Sequence, residues 1–474
     1  MDIINALLDE IYEGRFPVAA RERLLSHIRA ARDTAKLPRK AHWDEKDVVL
    51  ISYADQFREA DKPTLASFSH FYQQHLQSTF NLVHLLPFFP YSSDDGFSVI
   101  DYHQVNPICG EWQHIAALHS ETRLMFDFVC NHMSAHSQWF RHFLALDPGW
   151  DDFFISMPPA TDLSAVTRPR TSPLLTPFAM ADGETRYIWT TFSADQIDLN
   201  FANPEVLIRM VGVLLDYLIK GADYVRLDAV GYMWKTPGTN CIHLPKTHQL
   251  VKLFRAIANE VAPGTVIVTE TNVPHKDNIS YFGDGHDEAQ MVYQFSLPPL
   301  VLHAIHSGSA RALRQWASTL GTDRVGTTFF NFLASHDGIG LNPARGILSE
   351  VEIVALVRDL ALEGALVSYK NNPDGTTSLT RSTSPISMLS TNSKMMMTRV
   401  CVASCWHTRF CSLSQACPLS IFKASSVREM ITKAYAPQDT IAPLTGKNTQ
   451  CVRWSNGSAA AIRYASRFTN ASAP

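Results

Sequence analysis

Seven short apolar runs, each closing on polar residues and separated from the next by helical periodicity or a polar stretch, restrict the folds open to this chain more than anything else in it. They are VVLISYAD (48–55), NLVHLLPFFP (81–90), RLMFDFVCNH (123–132), DYVRLDAV (223–230), TVIVTETN (265–272), MVYQFSLP (291–298) and FFNFLASHD (329–337). The runs are nearly continuous rather than alternating, which is how a strand reads when both faces of its sheet are covered. Strand, helix, strand at this spacing builds a parallel sheet. Polar residues collect at the C-terminal ends: Asp55, Tyr91 to Asp95, Asn131 and His132, Arg226 and Asp228, Glu270, and His336 and Asp337. The expected fold is therefore α/β, a (β/α)8 TIM barrel whose strand ends share one mouth, rather than an open sheet.

The organisation around those runs follows from where they stop. Residues 1–40 carry apolar positions at helical spacing and read as a helical lead-in to a first barrel part over 1–133. About 60 residues between the third and fourth runs, 134–195, are rich in Pro, Thr and aromatics and hold no long apolar run, so they read as a small domain inserted in a βα-loop. A second barrel part spans 196–378, and a different kind of chain occupies 379–474. No internal repeat of 20–50 residues is present, nor any low-complexity tract beyond Met395–Met397.

With 46% hydrophobic residues and a formal net charge of -4, the chain of 474 residues is neither a nucleic-acid binder nor a disordered chain. No membrane span is expected, because the best apolar run, MVGVLLDYLI, is interrupted by Asp216. Asp2 and Glu10 stand where a signal peptide would carry Lys or Arg, so a cytoplasmic setting is expected. Cys109, Cys130 and Cys241 are scattered as reduced thiols are.

Arg226 and Asp228 lie two apart on one strand and share a face, so the guanidinium is expected to keep the carboxylate ionised, as a nucleophile must be. Taken alone, R-x-D on a strand is more often an edge ion pair. Two further carboxylates at strand ends change the balance. A barrel brings Asp228, Glu270 and Asp337 to one ligand, which is what retaining glycosidic transfer needs. Asp228 is the expected nucleophile because Arg226 lowers its pKa. Glu270, after the apolar VIVT, is the expected acid/base, with burial keeping it protonated. Asp337 would hold sugar hydroxyls and favour the cationic transition state. His132 and His336 stand beside these ends and suit ring hydroxyls. Asp94, in YSSDDGF, reads as a sugar ligand or equally as part of a turn. Zinc is the weaker reading, with no C-x-x-C spacing to support it.

These residues carry a family resemblance. DFVCNH, DYVRLDAV, the TE of VIVTETN and FLASHD resemble the four ordered motifs of the α-amylase superfamily, over residues about 40–340. PFFPYSSDDGFSVIDY, FSADQIDLNFANP and SHDGIGLNPARGIL are most similar to its sucrose phosphorylase group, with sucrose-phosphate and glucosylglycerate phosphorylase relatives. The resemblance implies Asp228 as nucleophile, Glu270 as acid/base and Asp337 as transition-state stabiliser, with Arg226, His132, His336 and Asp94 lining the sugar subsite. It implies transfer of glucose from an α-glucoside to inorganic phosphate, with no cofactor. Asn131 matches a position that helps bind calcium in many amylases, but this group generally lacks that ion, and no metal is expected. A hydrolase or transglucosidase on the same site, and a non-catalytic sugar-binding protein, are the alternatives.

After Ser378 the chain changes character. Residues 379–474 hold only Glu429 and Asp439 against 11 Lys and Arg, a net of +9, and five of the eight cysteines. The tail shows neither strand nor helix periodicity, although the barrel still needs its eighth strand. RFCSLSQACPLSIFKASSVREMI (409–431) can be written in codons whose neighbouring frame reads AILLSFPGVPAIYIQSIVGSRND, an apolar strand followed by a turn. The same offset converts two further stretches, after Ser378 and from Ala434, into sequences like this family. The reading is loss of about one base near codon 378. The eighth strand and C-terminal domain are then disrupted, and the first and seventh strands are left with open edges.

Overall fold

The strands form where the apolar runs predict, because each has apolar partners on both sides. In the computed structural model, which describes residues 1–35, 37–38, 43–321, 326–362, 364–371, 377–382 and 420–423, the first seven barrel strands are β1 (Val48–Ser52), β2 (Leu82–Leu85), β3 (Arg123–Val129), β4 (Tyr224–Asp228), β5 (Val266–Thr269), β6 (Met291–Tyr293) and β7 (Thr328–Phe332). Every residue of β2, β3, β4 and β5 is buried. All pair in parallel with their chain-order neighbours.

The ring is closed. β8 (Ser420–Lys423) pairs in parallel with β1, Val48 opposite Ser420, and with β7, Asn331 opposite Ser420. The expectation of open edges on the first and seventh strands is thus corrected: four residues of the tail supply both sets of backbone partners. The apolar strand written in the neighbouring frame, AILLSF, falls on residues 409–414, outside the described residues, and Ser420–Lys423 lie past the turn that follows it. The rest of the tail reading lies outside the described residues, Leu379–Ser382 apart.

Outside the barrel, helix Pro204–Ile219 opens with the Asn203 side chain accepting from the Glu205 amide, and Pro204 fits its first turn. Ten of its residues are buried, which makes MVGVLLDYLI a helix of the barrel wall. No helix among the described residues is long and apolar enough to cross a membrane. Helices Asp2–Tyr12 and Val18–Arg32 pack on the barrel helices Pro245–Val261 and Pro204–Ile219.

The inserted region leaves the barrel after β3. A short strand, His132–Ser134, pairs antiparallel with Gln196–Asp198, setting His132 opposite Asp198 and Ser134 opposite Gln196. Between them lie helix Gln138–Leu144 and a hairpin, Leu175–Ala179 with Thr185–Trp189. Ile155, Val166, Leu174 and Trp189 form its own small core with Cys241, from the loop after β4.

Candidate active site

The floor of the barrel mouth is a layer of buried charge. Arg226 points inward from β4 directly opposite Asp127 of β3 and ion-pairs with it. The same Nη1 donates to Asp228 Oδ1 at 2.8 Å, while Nη2 lies 3.9 Å from Glu270 Oε2. The guanidinium lies under aromatic rings, 5.6 Å from the Phe97 centroid and 5.5 Å from that of Tyr293. His84 of β2, fully buried like Asp127, sits with Nε2 2.7 Å from Asp127 Oδ2. Burial pushes its pKa down, so the neutral ring donates to the carboxylate.

This layer changes the expected electrostatics. Burial alone would raise Asp127, but Arg226 and His84 pull it down to about 2. For Asp228 the sum is opposite to the expectation from Arg226 alone. Burial pushes its carboxyl well above the ordinary range, Arg226 pulls it down, and Glu270, Asp127 and Asp337 push it up. One guanidinium serves three carboxylates, and the cluster carries more negative charge than it can neutralise. A retaining pair needs the ionised carboxyl on the nucleophile, so burial of Asp228 works against that role and the Arg226 contact works for it.

The remaining candidates sit higher in the mouth. Ala229, with φ 52, turns the chain sharply after Asp228, and its amide donates to Glu270 Oε2 at 3.4 Å. Asp337 lies not at the end of β7 but five residues beyond it, in the following loop, and is the most open of the three, its side chain 34% exposed. His336 stacks on Phe97 with ring centroids 5.2 Å apart, faces Tyr53, and has its Nδ1 buried without a partner. Burial pushes its pKa down to about 4, so the ring is neutral at physiological pH. His132 is fully engaged: Nε2 donates to the Phe97 carbonyl at 3.0 Å and Nδ1 faces the Asn131 amide at 3.3 Å. A sugar hydroxyl would have to take that Nε2 proton from Phe97. For Asp94 the turn is what the structure shows. The residue lies in a tight turn with φ 53, and its Oδ2 accepts from Gln196 Nε2 at 2.9 Å, which in turn lies 3.2 Å from His132.

Asn131 meets a cation of the protein's own. The Lys235 ammonium lies 2.6 Å from Asn131 Oδ1 and 2.6 Å from Asp198 Oδ2, with both charged side chains buried. Among the described residues no group of three or more His, Cys, Asp or Glu is placed to hold a metal.

Sequence reasoning missed Asp127, His84, Tyr293, Gln196 and the Lys235–Asp198 pair. Asp127 was within reach, since it shares the inward parity of Val129 and Asn131 in DFVCNH. Gln196 and Asp198 reach the site only through the antiparallel pairing with His132–Ser134.

With this geometry in hand, the family described as "Alpha amylase, catalytic domain" matches residues 72–342. The chain belongs to the alpha-amylase family. Within it, the chain is 64% identical to the glucosylglycerate phosphorylase of Escherichia coli (strain K12) over 375 residues, 79% of this chain and 67% of that one. It is 53% identical to the glucosylglycerate phosphorylase of Allomeiothermus silvanus over 337 residues, covering 71% and 60%. This alpha-amylase family chain therefore spans about 60 to 67% of the length of these relatives. In three dimensions it resembles sucrose 6F-phosphate phosphorylase from Thermoanaerobacter thermosaccharolyticum, with TM-score 0.69 at 22% identity over 84% of this chain and 81% of that one, a likeness of fold.

Proposed function

We propose that this alpha-amylase family site is that of a retaining glycoside phosphorylase acting on a glucosylglycerate. The observation that carries the reading is the Arg226 guanidinium contacting both Asp228 and Glu270, in a chain 64% identical to a glucosylglycerate phosphorylase. The Asp228 carboxylate attacks the anomeric carbon as Glu270 gives its proton to the departing glycerate oxygen, so the C1–O bond breaks while a C1–Oδ bond forms. Phosphate then attacks the same carbon, Asp228 leaves, and Glu270 takes the acceptor's proton, giving α-glucose 1-phosphate with retention. Asp337 stabilises the cationic transition state. Asp94, His132, His336 and Arg226 surround the sugar, and the unpartnered His336 Nδ1 suits a hydroxyl. A cytoplasmic setting fits the free, buried Cys109, Cys130 and Cys241. No metal takes part, in keeping with Lys235 between Asn131 and Asp198.

The chain as written is impaired by its tail. The match to the Escherichia coli relative spans 375 residues, close in length to the 378 that precede the change of character. The test is α-glucose 1-phosphate release from glucosylglycerate, sucrose and sucrose 6-phosphate, with and without phosphate, by the chain as written and by its frame-restored form. Phosphate-dependent release, fastest from glucosylglycerate in the restored form, is expected. Glucose release without phosphate would make the site a hydrolase.

A further inference from the structure

Asp94 reaches the sugar subsite from a turn that its own backbone does not favour. Asp94 and Asp95 both lie in the left-handed region, φ 53 and 50, and Gly96 follows at φ 115, where an added Cβ would come 2.8 Å from the Pro87 carbonyl oxygen. Consecutive non-glycine residues in this region persist only where their surroundings over-determine them. The turn closes through the Phe97 amide to the Asp94 carbonyl at 3.0 Å and the Ser98 amide to the Ser93 carbonyl at 3.3 Å.

What surrounds it is one carboxylate. Ser92 Oγ at 2.5 Å, Ser98 Oγ at 2.9 Å and the Ser93 hydroxyl all donate to Asp195 Oδ2, and Ser134 Oγ lies 3.3 Å from Oδ1. Ser92 and Ser93 stand on one leg of the turn and Ser98 on the other. Ser134 comes from the strand that follows His132. The Asp195 carbonyl also accepts from the Ala135 amide at 3.0 Å. The next residue, Gln196, holds the tip by its bond to Asp94. An ionised carboxylate only accepts, so it can serve hydroxyls from both legs at once; an amide of the same shape turns a donor toward them. Burial raises the Asp195 pKa, but the Ser92, Ser93 and Ser98 hydroxyls outweigh it and hold the group below its ordinary range.

We propose that Asp195 is a positioning residue for the sugar subsite, gathering four serine hydroxyls so that the Asp94 carboxylate is held, with Gln196, where it meets the glucosyl ring. The inference rests on the reading of Asp94 as a sugar ligand. It is tested in the full chain with Asp195→Asn. Hydrogen exchange at the Phe97 and Ser98 amides should rise about tenfold or more while β3 amides stay protected. Unchanged exchange would overturn the clamp whatever reaction the site performs. In kinetics with the glucoside, Asp195→Asn should raise KM about tenfold with a smaller effect on kcat, and adding it to Asp94→Ala should cost nothing further. Losses that multiply in the double variant would overturn action through Asp94. Should Asp195→Asn not fold, Ser93→Ala removes one donor and leaves the charge in place, and the same two readouts apply at smaller size. A frame-restored chain that turns over no glucoside would sink the proposed function, and the exchange experiment would still decide the clamp.

Discussion

Around Arg226, single charges are set against one another, and their sum decides how Asp228 behaves. Asp228 holds its proton more tightly in the folded protein than in the unfolded chain. Its contribution to stability is therefore fully present below the unfolded value of about 3.9 and is lost as pH rises through the raised folded value. Asp228→Asn removes that loss, so the variant should melt higher than the parent at neutral pH, by about 2–4 °C per kcal/mol relieved, and match it near pH 4. Its turnover should fall by about a thousandfold or more, because the nucleophile is gone. Paired thermal melts at pH 4 and 7 check the sign; a lower neutral melting temperature would mean that the Arg226 pairing outweighs burial. Lys235 presents the opposite case. Lys235→Met leaves Asp198 buried without its cation and should cost about 3–5 kcal/mol in urea unfolding. A chelator should leave both stability and activity of the unaltered protein unchanged, whereas activity lost on chelation and regained with calcium would show that Lys235 does not serve in a metal's place.

Loops that leave the strand ends set which of these residues can meet. Gly96→Ala puts a methyl group against Pro87 at a positive φ and should loosen the turn carrying Asp94, costing about 1–3 kcal/mol and raising KM for the glucoside. An unchanged KM would separate that turn from the sugar subsite. Elements of this kind explain what the sequence reveals and what it hides. The seven strands are legible because both of their faces are buried, which writes continuous apolar runs. Asp228 and Glu270 are legible because polarity returns abruptly where a strand opens to the mouth. Asp127 is hidden because it stands inside the apolar RLMFDFV and gains its meaning only from Arg226 across the sheet. Asp337 reads as the last residue of its strand, yet β7 stops at Phe332. Gln196 and Asp195 belong to a polar insertion whose register with His132–Ser134 is a long-range pairing that no local pattern encodes. The direction of the Asp228 pKa needed the same three-dimensional count, since local spacing shows one cation and the folded site adds three more carboxylates.

Closing the barrel is a property of the whole molecule, and it depends on four residues far along the chain. β1 and β7 both take their backbone partners from Ser420–Lys423, so neither edge is open in this fold. Yet a barrel strand is by rule rich in apolar residues, and SIFK carries Ser and Lys at its ends where the neighbouring frame can be written IYIQ. Replacing one buried isoleucine by a small side chain costs about 2–5 kcal/mol, a large share of the 5–15 kcal/mol that holds a domain folded. Restoring the frame near codon 378 should therefore raise the unfolding midpoint, sharpen the transition, and bring phosphate-dependent release of α-glucose 1-phosphate up by orders of magnitude over the chain as written. The DNA sequence through codon 378, read beside peptides from 379–474 in the purified protein, checks the premise. An intact frame there, with full activity and a cooperative melt in the unaltered chain, would mean that Ser420–Lys423 closes the barrel as well as the apolar strand does.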